Sequence, residues 1–163
     1  MDRNGEHSFA NYLGLSLWIS SKELMPDKVT QIVGIEPSYV RVRGTLIPGR
    51  GVSRRPEFDV HEWQFRKQLD LKPGNCAAQD FEKFINEFLD QIKNSTPQIR
   101  ALSEHHNVTV SLVYHVDEMP YIGLTRQQVL AVAALGARLD YDLMVEESGP
   151  DKTEDHDHPV QVG

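Results

Sequence analysis

Arginine side chains concentrated in one stretch of the sequence are its best candidates for binding chemistry. Between positions 41 and 67 the chain carries seven basic residues against three acidic ones, although its formal net charge is −7. A guanidinium group presents several N–H donors in one plane and binds carboxylates or phosphates in bidentate fashion. The pattern predicts a surface for a partner or an anion, and the alternative is that these arginines balance the acidic surface of the same domain or its acidic tail. The predicted binding residues are Arg41, Arg43, Arg50, Arg54, Arg55 and Arg66, with Trp18 as an exposed indole of the kind that marks interfaces.

Catalytic chemistry has no recognised motif in this sequence. The chain lacks a Gly-rich phosphate loop, a G-x-S-x-G elbow and a pair of histidines with a helical glutamate between them. Its single cysteine, Cys76, cannot form a disulfide within the chain, and a packed thiol is favoured over a nucleophile. These observations favour a binding protein over an enzyme. No catalytic residue and no cofactor is predicted.

Asp140 and Asp142 are the residues best placed to hold a cation or to share a proton. On one strand they would project to the same side, about 6 to 7 Å apart. A solvated strand face with arginines on neighbouring strands is the favoured alternative. Two histidine pairs are likewise expected in solvent rather than on a metal: His105 with His106, and His156 with His158. No metal site is predicted.

Length and composition indicate how many domains the chain forms, which segments are disordered and where the protein is located. Its 163 residues, 39% of them hydrophobic, fit one domain with its own core. Residues 146–163 hold six acidic residues and one lysine, a composition that cannot offset the entropy lost on ordering. We predict a flexible N-terminus over 1–10, a single domain over 11–145 and a disordered acidic tail over 146–163. The negative charge disfavours nucleic acid, no apolar stretch is long enough for a bilayer, and the lone cysteine suits the cytoplasm.

Alternation of apolar and polar residues predicts five strands, and helical periodicity predicts the segments between them. The alternating stretches lie at 12–19, 38–46, 62–66, 108–116 and 137–145. Helices are predicted from Pro26 to Gly34, from Phe81 to Ile92, near Pro97, and from Thr125 to Leu135, where Thr125 and Gln128 form a capping box. A mobile loop is predicted over 47–59, which is rich in glycine, proline and arginine.

The order of these elements indicates the fold. Its first part matches the split strand-helix-strand arrangement of ferredoxin-like folds, with one helix and one strand appended. The fold class is therefore predicted as α+β, a two-layer sandwich of a largely antiparallel five-stranded sheet with helices on one face. The other face would present Ser16, Trp18, Arg41, Arg43, Gln64, Arg66, Thr109, Ser111, His115, Arg138, Asp140 and Asp142.

Several short motifs, taken in order, resemble one known family. They are Ile32-Val33-Gly34-Ile35-Glu36-Pro37, a later Gly44, Trp63 before a helical segment, Leu124-Thr125 opening a helix, and Leu135-Gly136-Ala137 with Leu139-Asp140 leading to Asp142. Over residues 12–145 this set resembles the bacterial family known as domain of unknown function 4279. The resemblance implies a small bacterial cytoplasmic domain and carries over no catalytic residue. By analogy, small acidic bacterial proteins of this kind serve as immunity proteins or accessory factors.

Two functional hypotheses follow from the sequence. The first is a non-enzymatic interaction protein that binds a protein partner through the polar sheet face and the basic loop, as an immunity or regulatory factor. A homodimer through the same face is a variant of this hypothesis. The alternative is an anion-binding or small-ligand domain, a weak enzyme included, built on Arg41, Arg43, Arg66 and the pair of Asp140 and Asp142.

Overall fold

The computed structural model describes residues 11–45, 58–71, 78–116 and 123–145. The predictions for the chain termini and for the loop over 47–59 fall largely or wholly outside these ranges. Individual residues whose predictions lie outside the described residues are Arg50, Arg54, Arg55, Cys76, His156 and His158.

Five strands form one mixed sheet. They are β1 (Tyr12–Ser21), β2 (Tyr39–Arg41), β3 (His61–Asp70), β4 (Asn107–Val116) and β5 (Arg138–Val145), in the spatial order β2-β3-β1-β4-β5. β1 pairs antiparallel with β3 and with β4, and β2 pairs antiparallel with β3, but β4 and β5 are parallel. The prediction of a largely antiparallel sheet is therefore wrong. The physical reason is the crossover between β4 and β5, which contains a helix and returns the chain to the end of the sheet where β4 began.

Four α-helices connect the strands within the described ranges. They are α1 (Pro26–Val33), α2 (Ala78–Ile92), α3 (Thr96–Ser103) and α4 (Arg126–Ala134), and a 3₁₀ turn (Lys93–Ser95) joins α2 to α3. The end of α1 at Gly34, with φ of 72°, and the capping box of Thr125 and Gln128 at α4 are confirmed. No helix in these ranges is long and apolar enough to cross a membrane.

The helices pack against one face of the sheet. Phe88 of α2 stacks on Phe65 of β3 with ring centroids 5.6 Å apart, and Trp63 Nε1 donates to Thr30 Oγ1 of α1 at 3.0 Å. Each large apolar side chain buried in this way contributes about 1.5 to 3 kcal/mol. One continuous core includes residues from all four helices, from β1 and from β4: Leu13, Leu15, Leu17, Ile19, Val29, Val33, Phe81, Phe84, Ile85, Ile92, Ile99, Leu102, Val108, Val110, Leu112, Tyr114, Val132 and Leu135.

β2 is shorter than the strand predicted over 38–46. Its pairing with β3 ends at Arg41, and the chain then turns at Arg43 and Gly44, where Gly44 has φ of 82°. Two hydrogen bonds to residues later in the chain fix this turn. The Arg43 N–H donates to His61 Nδ1, and the Gly44 N–H donates to the Phe58 carbonyl. A residue with positive φ does not continue the pleat of a strand. Arg43 therefore lies in a turn beyond the sheet, and not on a strand face as predicted.

Candidate functional site on the open face

The face of the sheet turned away from the helices is the candidate site, and we call it the open face. Cross-strand pairing arranges its residues in rows, in which directly opposed Cβ atoms lie about 4.5 to 5.5 Å apart. One row contains Tyr39, Gln64, Trp18, Thr109 and Arg138, and the next contains Arg66, Ser16, Ser111 and Asp140. These positions confirm the alternation predicted for β1, β3, β4 and β5.

Arg41 is the most constrained of the predicted binding residues. Its guanidinium carbon lies 3.7 Å from the centroid of the Phe58 ring, and its Nη2 lies 3.3 Å from Glu62 Oε2. Its Nε donates to the Tyr39 hydroxyl at 3.1 Å. Aromatic stacking and a partly buried ion pair together favour this one conformation. Glu62 thus compensates the charge of Arg41 within the protein, and Arg41 in turn holds Tyr39 in place.

Trp18 lies on the open face in β1, the central strand. Its Nε1 donates to Ser16 Oγ at 2.7 Å, so the indole lies along the strand and does not stand away from the sheet. Ser16 is therefore only 5% exposed, while Trp18 itself is half-buried. Gln64 of β3 pairs with Trp18 on one side and with Tyr39 of β2 on the other. The result is a flat strip with a carboxamide in its middle and an aromatic residue on either side.

A second aromatic group lies at the opposite end of the open face, where β1 begins. The rings of Tyr12 and His115 stack with centroids 5.5 Å apart and planes inclined by 22°. The Arg66 guanidinium carbon lies 6.0 Å from the Tyr12 ring centroid, and Arg66 Nη2 donates to Gln68 Oε1 at 2.9 Å. Within the described ranges no carboxylate forms an ion pair with Arg66. Arg66 thus keeps a positive charge that a ligand carboxylate or phosphate could approach.

The carboxylates of β5 lie at the far edge of the open face. Asp140 forms an ion pair with Arg138 of the same strand, where the expectation was an arginine from a neighbouring strand. Among the described residues no group of three His, Cys, Asp or Glu side chains could hold a metal ion. On the helix side of β5, burial raises the pKa of the Tyr141 hydroxyl above its usual value.

The pair of His105 and His106, which the sequence predicted to lie in solvent, lines a polar cleft at one end of the sheet and is not on the open face. The cleft has a volume of about 710 Å³ and is lined by His105 and His106 together with Lys22 and Glu104. Arg43 is close to it, because its Nη1 donates to the Lys22 carbonyl at 3.3 Å. Acidic and basic side chains alternate along this lining, so it offers no field of one sign to a charged ligand. We therefore place the candidate site on the open face.

The structure brings together only part of the predicted binding set. Trp18, Arg41 and Arg66 lie on the open face, whereas Arg43 lies in the turn after β2. Arg66 is four residues along β3 from Glu62, the partner of Arg41, which corresponds to about 13 Å. Arg41, which is held against Glu62, and Arg66 therefore lie at separate positions along the open face.

Tyr39 and Gln64 complete the site, although sequence reasoning did not select them as binding residues. A signal was available, because the period of two places Tyr39 with Arg41 and Gln64 with Arg66 on the same side of their strands. The alternation does not reveal which residues of different strands stand side by side. The pairing of Gln64 with both Tyr39 and Trp18 depends on strand order and register, which only the tertiary structure supplies.

The fold and the site together define a class: an α+β domain whose mixed sheet carries helices on one side and a partly aromatic open face on the other. The chain belongs to the family described as Domain of unknown function (DUF4279), whose model matches residues 10–146. This match confirms the family resemblance found in the sequence. No curated protein and no solved structure matches the chain.

Proposed function

We propose that this protein is a non-enzymatic binding protein of the cytoplasm that recognises a protein partner through the open face, as an immunity or regulatory factor. The observation that carries the proposal is the strip formed by Tyr39, Gln64 and Trp18, with Arg66 on the same face. Tryptophan, tyrosine and arginine are the residue types that supply most of the binding energy in protein interfaces. The open face presents all three types.

The arrangement of the sheet supports this proposal. The strand order β2-β3-β1-β4, with antiparallel pairing throughout those four strands, also supports the ferredoxin-like core predicted from the order of elements. In that arrangement the helices belong to one layer, and none of the described helices covers the opposite surface of the sheet. A rigid sheet holds its side chains in a fixed geometry, so a partner that binds it loses little entropy in ordering the surface.

The proposal is tested by affinity purification from the native host with the full chain as bait. The double variant Trp18→Ser and Tyr39→Ser removes both aromatic residues of the strip. Its matched control, Val129→Ser and Leu130→Ser, removes two exposed apolar residues of α4 on the helix side, which are 46% and 57% exposed. We expect one partner to be recovered with the wild type and with the control, and to be lost with the open-face variant.

Two further variants sharpen this test. Charge reversal of Arg50, Arg54 and Arg55 to glutamate examines the predicted contribution of the basic loop, and Arg66→Gln examines the open face alone. Each variant is first melted to establish that it is folded. A partner retained equally by the open-face double variant and by the control would contradict the proposal.

A small anion is the second candidate ligand, because Arg66 makes no ion pair within the described ranges. A thermal-shift screen of nucleotides, inorganic phosphate and dicarboxylates separates this alternative from the first. A ligand at a hundred times its Kd raises the free energy of unfolding by about 2.7 kcal/mol, which a melting curve detects easily. A shift that Arg66→Gln abolishes would favour the anion over the protein partner.

A further inference from the structure

Gln64 has a property that sets it apart from the other buried polar side chains in the described part of the chain. Those others are all hydrogen-bonded: Ser16 accepts from Trp18, Ser21 accepts from two backbone N–H groups, Ser95 donates to the Val33 carbonyl, and Gln128 bonds to both α2 and its own helix start. Gln64 is only 8% exposed, and its carboxamide has no such bond with any residue that the structure describes.

The neighbours of Gln64 on the open face make no hydrogen bond to its carboxamide. Trp18 lies beside it, but the indole N–H is already donated to Ser16. Tyr39 lies on its other side, and the Tyr39 hydroxyl accepts from Arg41. Neither amide atom is fully enclosed, so water can satisfy the carboxamide in the free protein, and a ligand that covers Gln64 must replace those hydrogen bonds. The carboxamide is therefore a largely enclosed polar group on the open face whose hydrogen bonds are available to a ligand.

The chemistry of a carboxamide restricts what that ligand is. It offers N–H donors and a carbonyl acceptor side by side. In an extended polypeptide the N–H and C=O of one residue point to the same side, which is how hydrogen-bonded residue pairs form in antiparallel sheets. One residue of an extended chain can therefore donate to Gln64 Oε1 and accept from Gln64 Nε2 at the same time. The rings of Trp18 and Tyr39 would contact the side chains before and after that residue.

Charge adds a second feature to the ligand. Arg66 is two residues from Gln64 on the same face of β3, about 7 Å away by the rise of a strand. Its guanidinium forms no ion pair among the described residues, so a carboxylate of the bound chain would be its complement. The net charge of −7 disfavours the polyanionic backbone of a nucleic acid as the occupant.

We infer that the open face binds an extended segment of a partner polypeptide, with one residue of its backbone paired to Gln64, its neighbouring side chains against Trp18 and Tyr39, and an acidic side chain on Arg66. This inference rests on the proposed function, because it specifies the part of the partner that is recognised. It also gives Arg41 a role as a positioning residue, since its stack on Phe58 and its bond to Tyr39 fix one wall of the strip.

The first experiment selects binders from a phage-displayed library of random linear peptides, with the full chain as target. The selected peptides are then synthesised, and their affinity is measured by titration calorimetry. We expect them to share an apolar residue and an acidic residue. We also expect Gln64→Met, which keeps the length of the side chain but removes the amide, to weaken binding about tenfold, or 1.4 kcal/mol. Gln91→Met, on the exposed side of α2, is the matched control and should bind as the wild type does.

The second experiment tests the backbone contact itself. Each backbone N–H of one selected peptide is replaced in turn by N-methyl. We expect a single position at which methylation weakens binding to the wild type about tenfold and leaves binding to Gln64→Met unchanged, because the lost bond is already absent there. Gln64→Glu serves as a second variant, since it keeps the shape and removes the donor. Melting temperatures of both variants are compared with that of the wild type to establish folding.

The outcomes separate this inference from the proposed function. If methylation weakens binding equally in the wild type and in Gln64→Met, or if the peptides bind both equally while Trp18→Ser loses them, the backbone contact is wrong and the binding face stands. If no peptide is selected but a glycan array or a nucleotide panel binds in a Trp18-dependent way, the polypeptide is the wrong class of ligand. If the partner from the native host also binds the Trp18→Ser and Tyr39→Ser variant as strongly as it binds the wild type, both proposals fail.

Discussion

Arg41 and Arg66 share one face of the sheet, and their surroundings assign them different roles. Arg41 is held by Phe58, Glu62 and Tyr39, so its charge is used within the protein. Arg66 touches Tyr12 and Gln68 but no carboxylate among the described residues. The sequence selected both arginines as binding residues, but it could not separate their roles, because Phe58 and Glu62, which hold Arg41, are 17 and 21 positions away along the chain.

Replacement of Arg41 by glutamine should destabilise the fold. It leaves the Glu62 carboxylate, which is 16% exposed, without its counter-charge and removes the stack on Phe58. Because the pair is partly solvated, we expect a loss of about 1 to 2 kcal/mol in the free energy of unfolding, measured by urea denaturation. Arg43→Gln, at an exposed turn, should change it by less than about 0.5 kcal/mol.

A double variant gives the critical comparison for this pair. If Glu62→Gln is added to Arg41→Gln, the unpaired carboxylate disappears and part of the lost stability should return. An unchanged or additive loss in the double variant would mean that the ion pair contributes nothing and that stacking alone holds Arg41.

At the scale of elements, two helices end at glycines with positive φ, and at one of them the packing of neighbouring side chains also excludes a Cβ. Gly34 and Gly136 both follow helices, with φ of 72° and 68°, a conformation that costs a residue with a Cβ about 1 to 2 kcal/mol. An added Cβ at Gly34 would meet nothing, whereas at Gly136 it would overlap Ser103 Oγ and lie 2.9 Å from Arg100 Cδ. The helix stops were predictable from glycine in the sequence, but the contact between α3 and the turn before β5 was not.

These two glycines form a matched pair for a stability measurement. Gly34→Ala should lower the free energy of unfolding by about 1 kcal/mol, from backbone strain alone. Gly136→Ala should lower it by about 3 kcal/mol, because Ser103 and Arg100 must also shift. If thermal or urea denaturation shows equal losses in the free energy of unfolding for the two variants, Ser103 and Arg100 of α3 move aside without destabilising the fold.

Gln128 links two helices and provides a second test at this scale. Its Nε2 donates to Asn86 Oδ1 at 2.9 Å and to the Glu82 carbonyl at 3.3 Å, while its Oε1 accepts from the Thr125 N–H at 2.9 Å. Gln128→Ala removes these bonds at a site that is 2% exposed and should cost about 2 to 3 kcal/mol. Gln127→Ala, its exposed neighbour on α4, should cost less than about 0.5 kcal/mol.

Gln128 also shows which features of the structure could be predicted from the sequence and which could not. The spacing of Thr125 and Gln128 predicted the capping box, and the spacing of Phe81, Phe84, Ile85 and Phe88 predicted α2, because both signals are local. The bond from Gln128 to α2 and the parallel pairing of β5 with β4 depend on how distant elements pack. Likewise the alternation after Arg41 continued past the point where contacts from His61 and Phe58 turn the chain.

At the scale of the whole molecule, the proposed function requires the open face to be accessible in the free protein. We therefore expect a single monomeric species in sedimentation velocity, with the same coefficient for the wild type and for Trp18→Arg. A homodimer through the open face is the opposing outcome. It would appear as a larger, concentration-dependent coefficient in the wild type that Trp18→Arg reduces to the monomer value.

The central place of β1 in the sheet has a consequence for how the protein comes into being. β1 pairs with β3 and β4, whose residues lie some 40 to 100 positions later in the chain. While the chain is being synthesised, Leu13, Leu15, Leu17 and Ile19 can pair with β3 first, and they lack the second of their two neighbouring strands until β4 has left the ribosome. We expect chains interrupted before Val116 to leave one edge of this leucine-rich strand unpaired and to bind chaperones. Of the five described strands, β1 is synthesised earliest and waits longest for its last neighbouring strand.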